Sequence, residues 1–453
     1  MPHSSTHHPL QEMRRTLYLA LPIIIGQIAG VGMSFVDTVM AGRLGALALA
    51  ALPIGGAIWM TGVMFAIGIL LALNPAVAQL DGAGKYRQVG VVTRQAIWIA
   101  LGLSVLLLLF MRNVEPVVLW LGIDPQIRPV ALGYLDAISW GVPAICLQLV
   151  LRYFSEGTGH TQPTMYIGFL GVAANIPLNY IFMYGKLGMP ELGAVGCGYA
   201  TAIVLWLQLL LLWIYTAKHS HFRRFQLYSG FDKPDWGEIR ELIRVGLPIA
   251  VMISVEGSLF VAAALMIGRL GAVPTAAHGI AINFSSLLFM IPLGLAGAIT
   301  TRVGNAIGRA DPASARYVGI NGFVLGLGFQ IISATVMFLF AEQIVAMYGN
   351  TNPDVSQLAA SLIRLAAIFQ LSDGVQVCAA GGLRGLKDTK IPMIYTVIAY
   401  WAVGMTLAYY LTFTQNMGPA GMWIGMIAGL SVAAMLLGVR FWRSASRLIT
   451  VAD

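Results

Sequence analysis

The sequence predicts an all-α polytopic membrane protein, with twelve transmembrane helices in two six-helix lobes related by an internal repeat. Three observations carry this: the composition, a series of apolar runs of bilayer length, and a motif that returns at a fixed spacing. Of 453 residues, 58% are hydrophobic and only 10% are charged, against ~25% charged in soluble domains. Mean hydropathy is +0.78. A water-soluble chain this apolar lacks the polar residues to cover its surface. A soluble enzyme, a disordered chain and a disulfide scaffold are therefore excluded. The 51 glycines suit helices packed in lipid, where small residues let backbones approach.

A bilayer span needs ~20 mostly apolar residues. Twelve runs qualify: 16–39, 47–74, 91–112, 131–152, 164–184, 193–216, 239–266, 277–300, 317–340, 357–381, 392–413 and 419–440. The longest polar stretch, 218–241, falls between the sixth and seventh. It divides the chain into an N-terminal lobe at 1–217, a cytoplasmic linker at 218–238 and a C-terminal lobe at 239–453. The polar start MPHSSTHHPLQEMRR lacks the apolar core of a signal peptide, so the first run is expected to persist as a helix. Of 27 Lys and Arg, 21 fall on one side of the expected membrane and 5 on the other, with Arg364 inside the tenth run. This bias places both termini in the cytoplasm and fits an even number of spans. The net charge of +8 is thus read as basic loops rather than a nucleic-acid footprint.

The halves resemble each other. ALPI at 20–23 matches GLPI at 246–249, and MAGRLGA at 40–46 matches MIGRLGA at 266–272, both at an offset of 226 residues. Gly82 and Gly308 follow the same offset, Gly157 and Thr161 echo Gly385 and Thr389, and LGAVG at 192–196 echoes MGPAG at 417–421. With six spans per half, both halves enter the membrane in the same sense and are related by an axis along its normal. Transporters use such repeats, placing the substrate site at the repeat interface and alternating access by rocking one half against the other.

An ionised carboxylate at the centre of a membrane helix costs ~2.5–3.5 kcal/mol or more. Three acids nevertheless fall inside the runs and away from their ends or close to the core: Asp37, Glu256 and Asp373. No basic residue nearby in sequence is an obvious partner. Asn175 and Asn179, spaced i and i+4 around Pro177, share one helix face. They form a polar spot suited to a cation or a relay water, with Thr201 a weaker member; interhelical packing explains the pair equally well. At offset 226, Asp37 corresponds to Ala263 and Glu256 to Gly30. The acids therefore lie outside the duplicated framework and make two unequal polar centres. Glu156 is expected to pair with Arg152, Asp136 to face water, and His278 to be a satisfied structural residue rather than a proton carrier, the alternative. Cys146, Cys197 and Cys378 read as free buried thiols. The sequence contains no Walker A loop, HExxH or Cys/His metal spacing, which leaves an ion gradient as the energy source.

On these residues the chain resembles the multidrug and toxic compound extrusion (MATE) family, and within it the bacterial NorM-type transporters. The resemblance covers nearly the whole chain. It rests on LPII with FVDTVMAGRLG, ANIPLNYIFMYG and GAVGCGYATA in the first half. In the second it rests on GLPIAVMISVEGSLF, AAHGIAINFS and FQLSDGVQV. It implies a V-shaped MATE fold and a non-enzymatic, multi-pass protein of the bacterial inner membrane. The implied activity is export of small lipophilic or cationic drugs by antiport with Na⁺ or H⁺. It assigns Asp37, Asn175, Asn179 and Thr201 to an N-lobe centre and Glu256 and Asp373 to a C-lobe cation site, which would hold Na⁺ if sodium is the coupling ion. No cofactor beyond the coupling ion and no nucleic acid is expected; oligomeric state is not readable, with a monomer as the expectation. Gly279 departs from relatives that often carry Gln after the His, which puts a drug contact there in doubt. A flippase for a lipid-linked precursor is the alternative in the broader superfamily, but it calls for a strongly basic cavity, and the acids disfavour it.

Overall fold

The computed structural model of the protein describes residues 9–230, 232–349 and 352–452; the polar start through residue 8 lies outside them. Among the described residues the secondary structure is helical throughout. Eleven helices are long and apolar enough to cross a bilayer, and a bent pair makes a twelfth when counted as one span. We number them α1 (Pro9–Gly42), α2 (Leu47–Gly82), α3 (Tyr86–Arg112), α4 (Arg128–Ser139 with Val142–Gly157), α5 (Gln162–Tyr184) and α6 (Gly193–Lys218). The second half holds α7 (Trp236–Gly268), α8 (Ala272–Gly308), α9 (Pro312–Leu339), α10 (Pro353–Gly385), α11 (Lys390–Thr414) and α12 (Pro419–Thr450).

Two spans differ from their hydropathy profile. The run at 131–152 is broken: its two pieces meet at 49° across Trp140 and Gly141, and Pro143 opens the second piece near its first turn, where a missing N–H costs nothing. In the second half the irregular span is α11, which contains π-helical turns at Ile398–Met405 and Tyr410–Thr414.

The repeat is visible in the backbone. The loop glycines of the two RLGA motifs adopt one conformation, φ 114° and ψ 177° at Gly45 and φ 115° and ψ −179° at Gly271. That region is essentially closed to residues with a Cβ. Gly42 and Gly268 end α1 and α7, Gly82 and Gly308 end α2 and α8, and Gly157 and Gly385 end α4 and α10.

The chain forms two compact units. One runs from Ile25 to Ala250. Within it, α6 packs against α5 and α4, and α4 also packs against α3. A Cβ on Gly68 of α2 would collide with the Ala250 backbone, so the first part of α7 seats directly on that notch. The other unit comprises the chain through Ile24 and from Val251 onward. Here α10 is central, packed against α8, α9 and α12. Gly294 of α8 is the matching notch and receives the Ile24 backbone. Arg302 of α8 grips the first turns of α1, donating to the Glu12 carboxylate, to the Glu12 carbonyl at 2.8 Å and to Thr16 Oγ1 at 2.7 Å. Lobes divided at the linker and units defined by packing thus differ in one respect. The first segments of α1 and α7 pack in the unit built mainly from the other half.

Candidate functional site

The first polar centre lies inside the 25–250 unit. Asn175 and Asn179 sit one turn apart on α5, and Asn179 Nδ2 donates to Asn175 Oδ1 at 3.0 Å. The same nitrogen reaches Asp37 Oδ1 on α1 at 2.6 Å. Asn175 and Asn179 are fully buried and Asp37 is partly buried. The i, i+4 spacing therefore does place the two amides together, and it aims them at the acid. Thr201 of α6 is buried with its Oγ1 unpartnered, and Asn179 Oδ1 and Asn175 Nδ2 are likewise unpartnered. A buried polar atom left alone costs ~1–3 kcal/mol. A carboxylate with two free oxygen acceptors nearby has the donor chemistry for a hard cation. Cys197, one turn before Thr201 and in sequence only a free buried thiol, stands near both Asp37 and Thr201. Beside this centre an apolar groove of about 450 Å³ opens between α1 and α5, walled by Phe35, Val39, Ile176, Pro177 and Tyr180 with Arg43.

The second centre lies in the other unit. Gln376 of α10, buried one turn beyond Asp373, donates through Nε2 to Asp373 Oδ1 at 3.3 Å and to Glu256 Oε1 of α7 at 3.1 Å. One amide nitrogen thus bridges the two acids that 117 residues of chain separate. Asp373 is only 2% exposed, because α10 is enclosed by three neighbours. Arg384, further along α10, is a basic charge that acts on Glu256. Gln376 escaped the sequence reading although its i+3 spacing from Asp373 offered the signal. The fold brings the two acids onto one amide nitrogen.

Several other expectations can be compared directly. Arg152 Nε donates to Glu156 at 2.7 Å, and all three cysteines are free and buried. Asp136 is exposed but stands 3.6 Å from Arg112, so it is paired rather than merely hydrated. Arg364 meets Glu342 at 3.0 Å. His278 is not the satisfied structural residue expected: it is buried, its Nδ1 has no partner, and its ring packs edge-on against Trp423 at 5.7 Å. Gly279 faces open space. Among the described residues no cluster of three or more His, Cys, Asp or Glu side chains could hold a metal ion.

Fold and centres together define an internally duplicated, multi-pass membrane protein with a polar, acid-bearing centre in each unit, the plan of transporters built from parallel repeats. Comparison makes this specific. The MatE family profile matches twice, at residues 22–181 and 248–410. The chain is 44% identical over 451 residues to the probable multidrug resistance protein NorM of Xanthomonas campestris, covering 99% of this chain and 98% of that one. It is 43% identical to the multidrug resistance protein MdtK of Yersinia pseudotuberculosis, covering 95% of each. Among solved structures it superposes on a eukaryotic MATE transporter with a TM-score of 0.88 at 22% identity, over 98% of this chain and 100% of that one. It matches an outward-facing multidrug resistance MATE family transporter at 0.88 and 20% identity, over 97% of each. The chain belongs to the MatE family.

Proposed function

We propose that the protein is a secondary active multidrug efflux transporter of the bacterial inner membrane, with both termini cytoplasmic. It exports organic, often cationic drugs by alternating access in exchange for entering Na⁺ or H⁺. It is not an enzyme. The observation that carries the reading is the pair Glu256 and Asp373, held on one Gln376 amide within membrane-spanning helices. Two carboxylates this close cannot both stay ionised in a water-poor interior without a cation. The pair therefore takes up a proton or a metal cation, and its occupancy biases the protein toward one arrangement. Drug must favour the other, since a ligand shifts an equilibrium only by its differential affinity. Each cation entering through 100 mV supplies ~2.3 kcal/mol. The relatives' names, NorM and MdtK multidrug resistance proteins, support drugs as the cargo. The Asp37, Asn175, Asn179 and Thr201 centre is a second cation or relay site on the same logic.

The test is ethidium or norfloxacin transport in proteoliposomes with a Na⁺ gradient or a pH gradient imposed separately. Efflux driven by Na⁺ alone makes the acid pair a sodium site; efflux driven by pH alone makes it a proton carrier. Glu256→Gln and Asp373→Asn are expected to abolish driven efflux with insertion intact. Unchanged transport in both variants would sink the assignment.

A further inference from the structure

Tyr400 of α11 is buried to 1% exposure, yet its hydroxyl has no hydrogen-bond partner. An unmet buried hydroxyl is expensive, equivalent to roughly a five- to hundredfold change in an equilibrium, so its persistence needs a reason. Its position supplies one. Trp401 Nε1 donates to Ser258 Oγ at 3.3 Å, which sets this turn of α11 beside the turn of α7 that carries Glu256. Glu256 and Asp373 are the two charged groups that act on the Tyr400 hydroxyl. The turn itself is π-helical from Ile398 to Met405 and buries Ala399, Tyr400, Gly404 and Met405 together. Such wide turns strain the hydrogen-bond ladder and concentrate at functional sites.

We propose that Tyr400 is the third member of the acid-pair site, its oxygen facing the coupling cation between Glu256 and Asp373. The inference rests on the reading of that pair as the coupling site and extends it. The hydroxyl supplies what the Gln376 nitrogen seated on the acids lacks. Gln376 Nε2 can only donate, so it serves carboxylate oxygens but cannot receive a carboxylic proton. A hydroxyl does both. Toward an ionised carboxylate of the pair, Tyr400 donates. With a proton bound, its oxygen accepts from the carboxylic O–H; with a sodium ion bound, the same oxygen is a ligand. No bond is made or broken beyond transfer of the hydrogen bond. Glu256 from α7 and Asp373 from α10 act on it, Arg384 of α10 acts on Glu256, and the His278 imidazole of α8 packs on Trp423 of the same core. From α12 that core receives the uncharged Trp423, Met422 and Met426.

The experiment compares wild type, Tyr400→Phe and Glu256→Gln in proteoliposomes, reading initial ethidium efflux against the concentration of driving Na⁺ or H⁺. Tyr400→Phe keeps the ring and removes only the oxygen. Its half-maximal driving-cation concentration is expected to rise about tenfold, the value of one charge-assisted hydrogen bond, while the ethidium KM at saturating cation stays as in wild type. A purely structural hydroxyl would leave the cation dependence unmoved. A wild-type cation dependence in Tyr400→Phe with an inactive Glu256→Gln overturns this inference and leaves the acid-pair reading standing. Wild-type transport in both variants overturns both. If Tyr400→Phe folds poorly, infrared difference spectra of its folded fraction decide the matter. A carboxyl C=O band shifted from wild type is expected on cation release, and an unshifted band overturns the proposal.

Discussion

His221 stands in a knot of imidazoles outside the spans. His160 lies 4.9 Å, ring to ring, from both His219 and His221. His160 Nε2 meets Tyr215 Oη at 2.9 Å, and His221 Nε2 meets Thr158 Oγ1 at 3.3 Å. Burial, then the charge of Arg224 and the neighbouring imidazoles, pushes His221 down to about 4 from its ordinary 6.5. Burial and His219 lower His160 in the same sense. An unfolded segment would take up protons below 6.5 where the folded one does not until about 4. The local packing is therefore full above the ordinary value and weakens as pH falls toward the lower one. Limited proteolysis between residues 219 and 230 should run faster at mildly acidic pH than at neutral pH, and His221→Phe should flatten that dependence. Equal cleavage at both pH values in wild type would refute the knot as a source of stability. These histidines drew no attention in the sequence, because a polar loop makes histidine unremarkable. The membrane acids were legible for the opposite reason: Asp37, Glu256 and Asp373 each interrupt an apolar run at a cost. Gln376 is marked only by its polarity and its i+3 spacing from Asp373, while Cys197 and Tyr400 sit in apolar runs with nothing in a hydropathy argument to mark them. Only the folded arrangement shows what they face.

At the scale of the helix, positions were readable and interruptions were not. A twenty-residue apolar average finds α4 but passes over its two-residue break at Trp140 and Gly141. It finds α11 but is blind to which turns are π-helical, since that depends on packing against α12 rather than on composition. The loops between spans were more informative than the spans. The duplicated RLGA motif announced a duplicated turn, and Gly45 and Gly271 share the same unusual backbone. Alanine at either position forces a Cβ into a region it rarely occupies, at ~1–3 kcal/mol. Gly45→Ala and Gly271→Ala are each expected to lower the unfolding temperature in detergent by a few degrees. Gly279→Ala, within a helix and facing open space, should lower it by none. A Gly271→Ala protein as stable as wild type would show that the loop relaxes without cost.

Across the whole molecule the same interval keeps returning. The family profile begins at residues 22 and 248, and the packing units change at 24/25 and 250/251. The notches at Gly68 and Gly294 receive Ala250 and Ile24. Each pair is 226 residues apart. The ancestral duplication therefore copied six spans together with a rule that each copy's opening segment packs elsewhere. For anyone dividing the gene, this has a practical meaning. A break in the linker at 218–238 yields two polypeptides, neither of which encodes a complete packing unit. The first lacks the 236–250 segment that seats on Gly68, and the second lacks the residues through 24 that fill Gly294. Expressed singly, each fragment should be degraded in the membrane; expressed together in one cell, they should protect each other and restore drug resistance. Stable accumulation of either fragment alone would show that the borrowed segment is dispensable.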